Sequence, residues 1–186
     1  MNKRTSETRK KLYLAMGTLL KDKKPEEITV KELCKTAQIH RTTFYDHYKS
    51  PQALYREMYE NLVTEMISSA SDMDLTLRKI GTRLCNIALH NKDFFLYASQ
   101  NTDFVENIVE KMTTWSQNLD VSYFSYTDAK DQKYAQLFSW AGVIAVIREW
   151  LLSKDSHTPE EISQLMEQLN LKGLFGKSNK NTLCSS

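Results

Sequence analysis

Glycine and proline are scarce in this chain, five and three among 186 residues. That scarcity works against a fold of many short strands, which needs a turn residue every few positions. No stretch alternates strictly between apolar and polar residues, and there is no internal repeat or low-complexity block. Cysteine is limited to Cys34, Cys85 and Cys184. Their wide spacing and odd number, with no C-x-x-C and no Cys/His pair at ligand distance, exclude a disulfide framework and a zinc site from the expectations. Each thiol reads as a small apolar side chain or, in the tail, a solvated one. No apolar run is expected to approach the roughly 20 residues that a bilayer span requires. The polar, basic start, residues 1–11, has no apolar stretch behind it of the kind a secretory signal carries. A cytoplasmic protein without a membrane partner is expected. The signatures of common catalytic machinery are missing too: no glycine-rich phosphate loop, no G-x-S-x-G, no H-E-x-x-H and no framed carboxylate pair. Neither an enzyme nor a cofactor is expected.

What is present suits helices. Apolar residues make up 41% of the chain and charged ones 26%, enough for a sizeable core under a well-solvated surface. The net charge of +2 conceals an asymmetry: residues 1–60 hold 13 Lys and Arg against 8 Asp and Glu, while the remainder has 12 against 15. A basic excess confined to one small module suits contact with a polyanion, whose counterions are released on binding.

Apolar spacing predicts a first helix over 6–20, with Leu12, Ala15, Met16, Leu19 and Leu20 on one side. Pro25, Glu26 and Glu27 begin a short turn. Thr29-Val30-Lys31-Glu32 then has the form of a capping box, which opens a helix that can continue to about residue 37, burying Val30, Leu33, Cys34 and Ala37. A tight turn at Gln38-Ile39-His40 leads into a short helix over 41–48. Phe44 and Tyr48 lie four apart on its inner face, and Arg41, Thr42, Tyr45 and Asp46 lie largely on the outer one. Ser50-Pro51 reads as N-cap and first-turn proline of a long helix to about residue 69, with Leu54, Met58, Leu62 and Met66 inward. Further helices are predicted over 75–90, 92–99, 103–120, 128–153 and 158–169, the last opened by Thr158-Pro159-Glu160-Glu161.

Two short helices joined by a tight turn and braced on both sides can set the second helix into a DNA major groove. The outer side of 41–47 offers a guanidinium, hydroxyls, a phenol, a carboxylate and an imidazole, a mixture suited to phosphates and base edges together. His40 and His47 have no carboxylate partner at ligand spacing, so a metal is not expected there. The stretch Ile28-Thr29-Val30-Lys31-Glu32-Leu33-Cys34, then Ala37-Gln38-Ile39-His40-Arg41-Thr42-Thr43-Phe44-Tyr45-Asp46-His47-Tyr48-Lys49-Ser50 with Ala53-Leu54, resembles the TetR family of bacterial transcription regulators. The resemblance covers about a quarter of the chain. It implies that Thr29, Tyr45, His47 and Lys49 contact phosphates and that Arg41, Thr42, Thr43 and Asp46 lie nearest the base edges. Three positions depart from the family pattern. Gln38 stands where glycine is common, Pro51 where a second lysine is common, and His40 where a small capping residue is common, so that its side chain is free to reach DNA.

The resulting expectation is an all-α fold in which a helix-turn-helix domain, residues 1–50, is joined by a connecting helix, 51–70, to a helical regulatory and dimerisation domain, 71–175, with a disordered tail, 176–186. Between residues 137 and 152 the strongly polar side chains are Ser139, Arg148 and Glu149 alone, and a helix apolar nearly all round must be covered on every side. A second copy of the chain is the expected cover, with Leu137, Ala141, Ile144, Ala145, Arg148, Ile162, Leu165, Met166 and Leu169 at the interface. Phe94, Phe95, Tyr97, Phe104, Met112, Trp115 and Trp140 either line an effector cavity or pack as core. The aromatic segment 121–126 closes such a pocket or docks a protein partner. The function expected is repression of a gene from a pseudo-palindromic site on double-stranded DNA, with release by a small-molecule effector. The alternative is a regulator or activator controlled by a protein partner.

Overall fold

The computed structural model describes residues 3–70, 76–117, 129–153 and 156–172. The aromatic segment 121–126 and the tail 176–186 lie outside the described residues. Among the described residues every regular element is helical.

Helix α1, Lys3–Leu19, begins three residues earlier than its apolar pattern indicates, because the polar residues ahead of that pattern include nothing that stops a helix. It buries Leu12, Ala15 and Met16. A single 3₁₀ turn, Pro25–Glu27, follows, and the Gln52 side chain pins it by donating to the Pro25 carbonyl at 3.1 Å. Helix α2, Val30–Ala37, and α3, Arg41–Tyr45, form the helix-turn-helix. Helix α3 is three residues shorter than expected, although the amides of His47 and Tyr48 still bond to the Phe44 carbonyl at 3.0 and 2.9 Å and continue the curl of the chain. Helix α4, Pro51–Ala70, starts as its Ser-Pro pair predicts: the Ala53 amide donates to Ser50 Oγ at 3.2 Å. Its stripe Leu54, Met58, Leu62 and Met66 is buried along the whole length.

Helix α5, Leu77–His90, is capped by Thr76, whose hydroxyl accepts from the Lys79 amide at 3.3 Å. Helices α6, Lys92–Ala98, α7, Thr102–Gln117, and α8, Ala129–Leu152, follow. Helix α9, Pro159–Lys172, opens on a complete capping box: Thr158 Oγ1 accepts from the Glu161 amide at 3.2 Å, and the Thr158 amide donates to the Glu161 carboxylate at 2.7 Å. The most extensive helix pair is α5 with α9. They approach at Gly81, where an added β-carbon would sit 2.5 Å from Ser163 Oγ. That hydroxyl cannot simply swing away, because it donates to the Arg78 carbonyl at 2.5 Å, and Arg78 in turn pairs with Glu167 across the same seam at 2.6 Å. The buried side chains of all these helices form one continuous cluster, to which α4 contributes from end to end.

Helix α8 divides into two faces. Trp140, Val143, Ile144, Ile147 and Leu151 are buried against the rest of the chain, whereas Tyr134, Phe138, Gly142, Ala145 and Leu152 are exposed. The expectation of a helix needing cover on all sides is thereby narrowed to one stripe. Ile144, Ile162 and Met166, expected at a subunit interface, are instead buried within this chain, since α9 packs on α5 and α8 through that side. Leu137, Ala145 and Leu165 are exposed, and Ala141, Arg148 and Leu169 are half-buried. The helix is also longer as an apolar stretch than expected. Residues Lys133–Leu152 are long and apolar enough, by length and composition, to cross a membrane. The charges at Lys133, Arg148 and Glu149 break the run in sequence without lowering its average enough to fail that test. The helix's buried residues are covered by α5, α6, α7 and α9, as in the core helix of a helical bundle.

Candidate nucleic-acid interface

The helix-turn-helix is fixed first by the start of α2. Thr29 Oγ1 accepts from the Glu32 amide at 3.3 Å, and the Glu32 carboxylate accepts from the Thr29 amide at 3.0 Å. The same carboxylate takes the Thr29 hydroxyl at 2.7 Å and the Lys23 ammonium. These donors, Lys23 first and Thr29 second, hold the Glu32 carboxyl down at about 2. Thr29 is exposed, but its polar groups are engaged in this box.

Gln38 ends α2 in the left-handed region, with φ 54° and ψ 48°, and is the one non-glycine residue of positive φ among the described residues. The family's usual glycine would adopt this conformation without steric cost, while a side chain pays about 1 kcal/mol. Its side chain is exposed, so little is lost with it. Gln38→Gly is expected to stabilise the protein by roughly 0.5–1 kcal/mol, a rise of about 1–4 °C in a thermal melt at this chain length. An unchanged or lower melting temperature would show that the turn carries no such strain.

Helix α3 stands on Phe44, which is fully buried, and Tyr48, which is 5% exposed. Tyr45 leans edge-on against Phe44 with ring centroids 5.5 Å apart and remains 59% exposed, so its phenol is presented rather than packed. Arg41, Thr42, Asp46 and Lys49 are also exposed, and Thr43 and His47 are half-buried, the latter beside Tyr48. His40 occupies the N-cap position of α3 but makes no capping hydrogen bond through its side chain, and it too is exposed. All nine residues predicted to meet DNA thus lie on α3, its two flanks and the start of α2. The arrangement offers cationic and hydrogen-bonding groups on a rigid, buried footing, as insertion into a groove requires.

Two groups went unnoticed in the sequence. Glu57, on α4, accepts from Tyr48 Oη at 2.7 Å and from Tyr13 Oη at 2.8 Å, and Arg9 lies 3.8 Å from its other oxygen. Burial first, and Glu57 second, push the Tyr13 phenol up to about 12 and that of Tyr48 higher still. One carboxylate therefore ties α1, the end of the reading head formed by α2, α3 and the residues through Tyr48, and α4 together. Gln136, on α8, is fully buried with both amide atoms lacking partners among the described residues. Only long-range packing reveals either position. A glutamate on a helix face and a glutamine in an apolar run carry no local signal.

The aromatic group expected to line an effector cavity is largely packed together. Phe104 meets Tyr59 and Phe95 edge-on, Trp115 meets Trp140 at 6.3 Å, and Tyr55 lies against both Phe94 and Tyr97. Phe94, Phe104, Met112 and Trp140 are buried, and Tyr97 and Trp115 are half-buried.

No curated protein sequence matches the chain. Solved structures share its fold. The dihydroxyacetone kinase operon activator DhaS superposes with a TM-score of 0.59 and 20% identity over 88% of this chain and 94% of that one. A TetR transcriptional regulator from Streptococcus agalactiae gives 0.57 and 19% over 90% and 96%. The TetR family regulator PfmR from Thermus thermophilus gives 0.64 and 15% over 88% and 98%. In sequence, residues 75–172, over half of the chain, match the TetR-type family described as a transcriptional regulator C-terminal region. The helix-turn-helix at one end and this match at the other lead to one conclusion: the chain belongs to the TetR family of transcription regulators.

Proposed function

We propose that the protein is a homodimeric, sequence-specific repressor that holds a pseudo-palindromic operator through two copies of α3 and releases it when an effector binds. The observation that carries this reading is the contrast across α3: Phe44 fully buried, with Arg41, Thr42, Tyr45 and Asp46 all open to solvent on the other side. Arg41 is the residue best suited to take a guanine edge through both of its terminal nitrogens. Tyr45, His47 and Lys49 fix the register on phosphates, and two copies about 34–36 Å apart read successive turns of the duplex. The reading places the protein in the cytoplasm, with the DNA.

A mobility shift on the intergenic DNA beside the protein's own gene tests this. Arg41→Ala with Tyr45→Ala is expected to weaken specific binding by about a hundred- to ten-thousandfold, the worth of a bidentate base contact and a phosphate contact in each of the two half-sites. Both side chains are exposed, so the melting temperature should be unchanged. Undiminished specific binding by the double variant would overturn the assignment of α3.

A further inference from the structure

A cleft of about 360 Å³ opens between α1, α4 and the corner where α5 passes into α6. It lies where the reading head meets the rest of the chain. Two large apolar side chains, Leu14 at 71% and Leu89 at 44% exposure, are left in water, and both line this same opening. Met58 and Phe94 supply further apolar wall, and Gly17 brings α1 close, with its missing β-carbon 3.2 Å from Asp93 Cβ. Apolar surface turned into a concave site of this size is the usual character of a small-molecule pocket.

The polar groups at the cleft select among ligands. Tyr13 Oη is already engaged, donating to Glu57 and accepting from Asn61 at 2.8 Å. The carboxylate of Asp93 is held by Lys21 at 3.0 Å. Lys10 and Lys92, by contrast, have no ion-pair partner among the described residues. The uncommitted charge at the cleft is cationic, over an apolar body.

We propose that this cleft binds a small organic anion, an aromatic or similarly compact apolar group bearing one carboxylate. Its apolar part lies against Leu14, Leu89 and Phe94, and its carboxylate meets Lys92 and Lys10. A ligand there sits between α1 and the α5–α6 corner and biases how the head rests on the body, which is a differential contact with the two head positions. That regulatory consequence rests on the proposed function; the binding itself does not.

Titration calorimetry on the full chain tests the site with 1-naphthoate and its neutral counterpart 1-naphthalenemethanol. Naphthoate should bind once per chain, and the alcohol more weakly by about three- to tenfold, as should naphthoate to Lys92→Glu. Leu89→Asn should weaken both probes, since it removes apolar contact and leaves the charge. Both positions are exposed, so thermal melts of the variants should match the wild type. Absence of binding by naphthoate, equal affinity for the alcohol, or unchanged affinity in both variants would overturn the proposal. DNA is absent from the cell, so a failure of the α3 reading leaves these outcomes untouched.

Discussion

Ala145→Glu is expected to turn a dimer into monomers and to weaken operator binding by about a thousandfold. Ala145 lies in a stripe of α8 that reads Tyr134, Phe138, Gly142, Ala145, Glu149 and Leu152, at spacings of four, four, three, four and three residues. All six are exposed, and an added β-carbon at Gly142 meets nothing within 4 Å. Phe138 at 73%, Tyr134 at 69% and Leu152 at 52% exposure are a large apolar area to leave in water, and Leu165 on α9, at 45%, extends it. Small residues at the middle of the stripe allow two such helices to approach closely. Because a two-fold interface uses the same patch on both copies, one substitution places two like charges near the axis. Like charges brought together at an interface cost several kcal/mol, and about 4 kcal/mol corresponds to a thousandfold. Each monomer keeps its fold, because position 145 makes no part of its core. Sedimentation would read the mass and a mobility shift the affinity. A variant that stays dimeric and keeps wild-type affinity would show that this stripe is not the interface.

The reading head was legible in the sequence because its signals are local. A capping box, a Ser-Pro start and a Phe44–Tyr48 spacing are each set by residues within four positions, and the structure follows all three. The departure at position 38 was visible only through the family resemblance, which has glycine there; that glutamine takes the left-handed conformation rather than a different turn is what the structure adds. Composition alone did not tell which face of α8 is covered. That depends on α5, α6, α7 and α9, two of which, α5 and α6, are remote in sequence from α8, so a helix that reads as apolar all round proves to have a buried stripe and an open one. The aromatic cluster posed the same difficulty, since a lined cavity and a packed core have one sequence pattern and differ only in how rings meet.

Glu57→Leu is expected to cost about 2–4 kcal/mol of stability, more than any single change to the hydroxyls that bond to it. Both Tyr13 and Tyr48 donate to the same Glu57 oxygen, so an apolar side chain leaves two hydroxyls without their charged acceptor. Hydrogen bonds to a charged group are worth about 1.5–3 kcal/mol, and a buried donor left unpaired adds a penalty of its own. Tyr48 is 5% exposed and cannot turn readily to water, whereas Tyr13 is half-buried and recovers part of its loss. The ion pair with Arg9, at 3.8 Å and with both side chains partly exposed, adds little. Tyr48→Phe removes one donor while leaving Glu57 its bond from Tyr13, so it should cost only about 1 kcal/mol. The inequality between these two variants, measured by chemical denaturation, is the test, and equal losses would mean that Glu57 is not the hub. The DNA consequence follows from where the bonds run. Tyr48 closes the recognition segment, Tyr13 belongs to α1 and Glu57 to α4, so Glu57→Leu removes the polar ties of that segment and of α1 to α4 at once and leaves apolar packing alone to hold them. Operator affinity should therefore fall in Glu57→Leu even at temperatures well below its melting transition, and by less in Tyr48→Phe, which loses the segment's own bond to Glu57 but keeps α1 tied to α4.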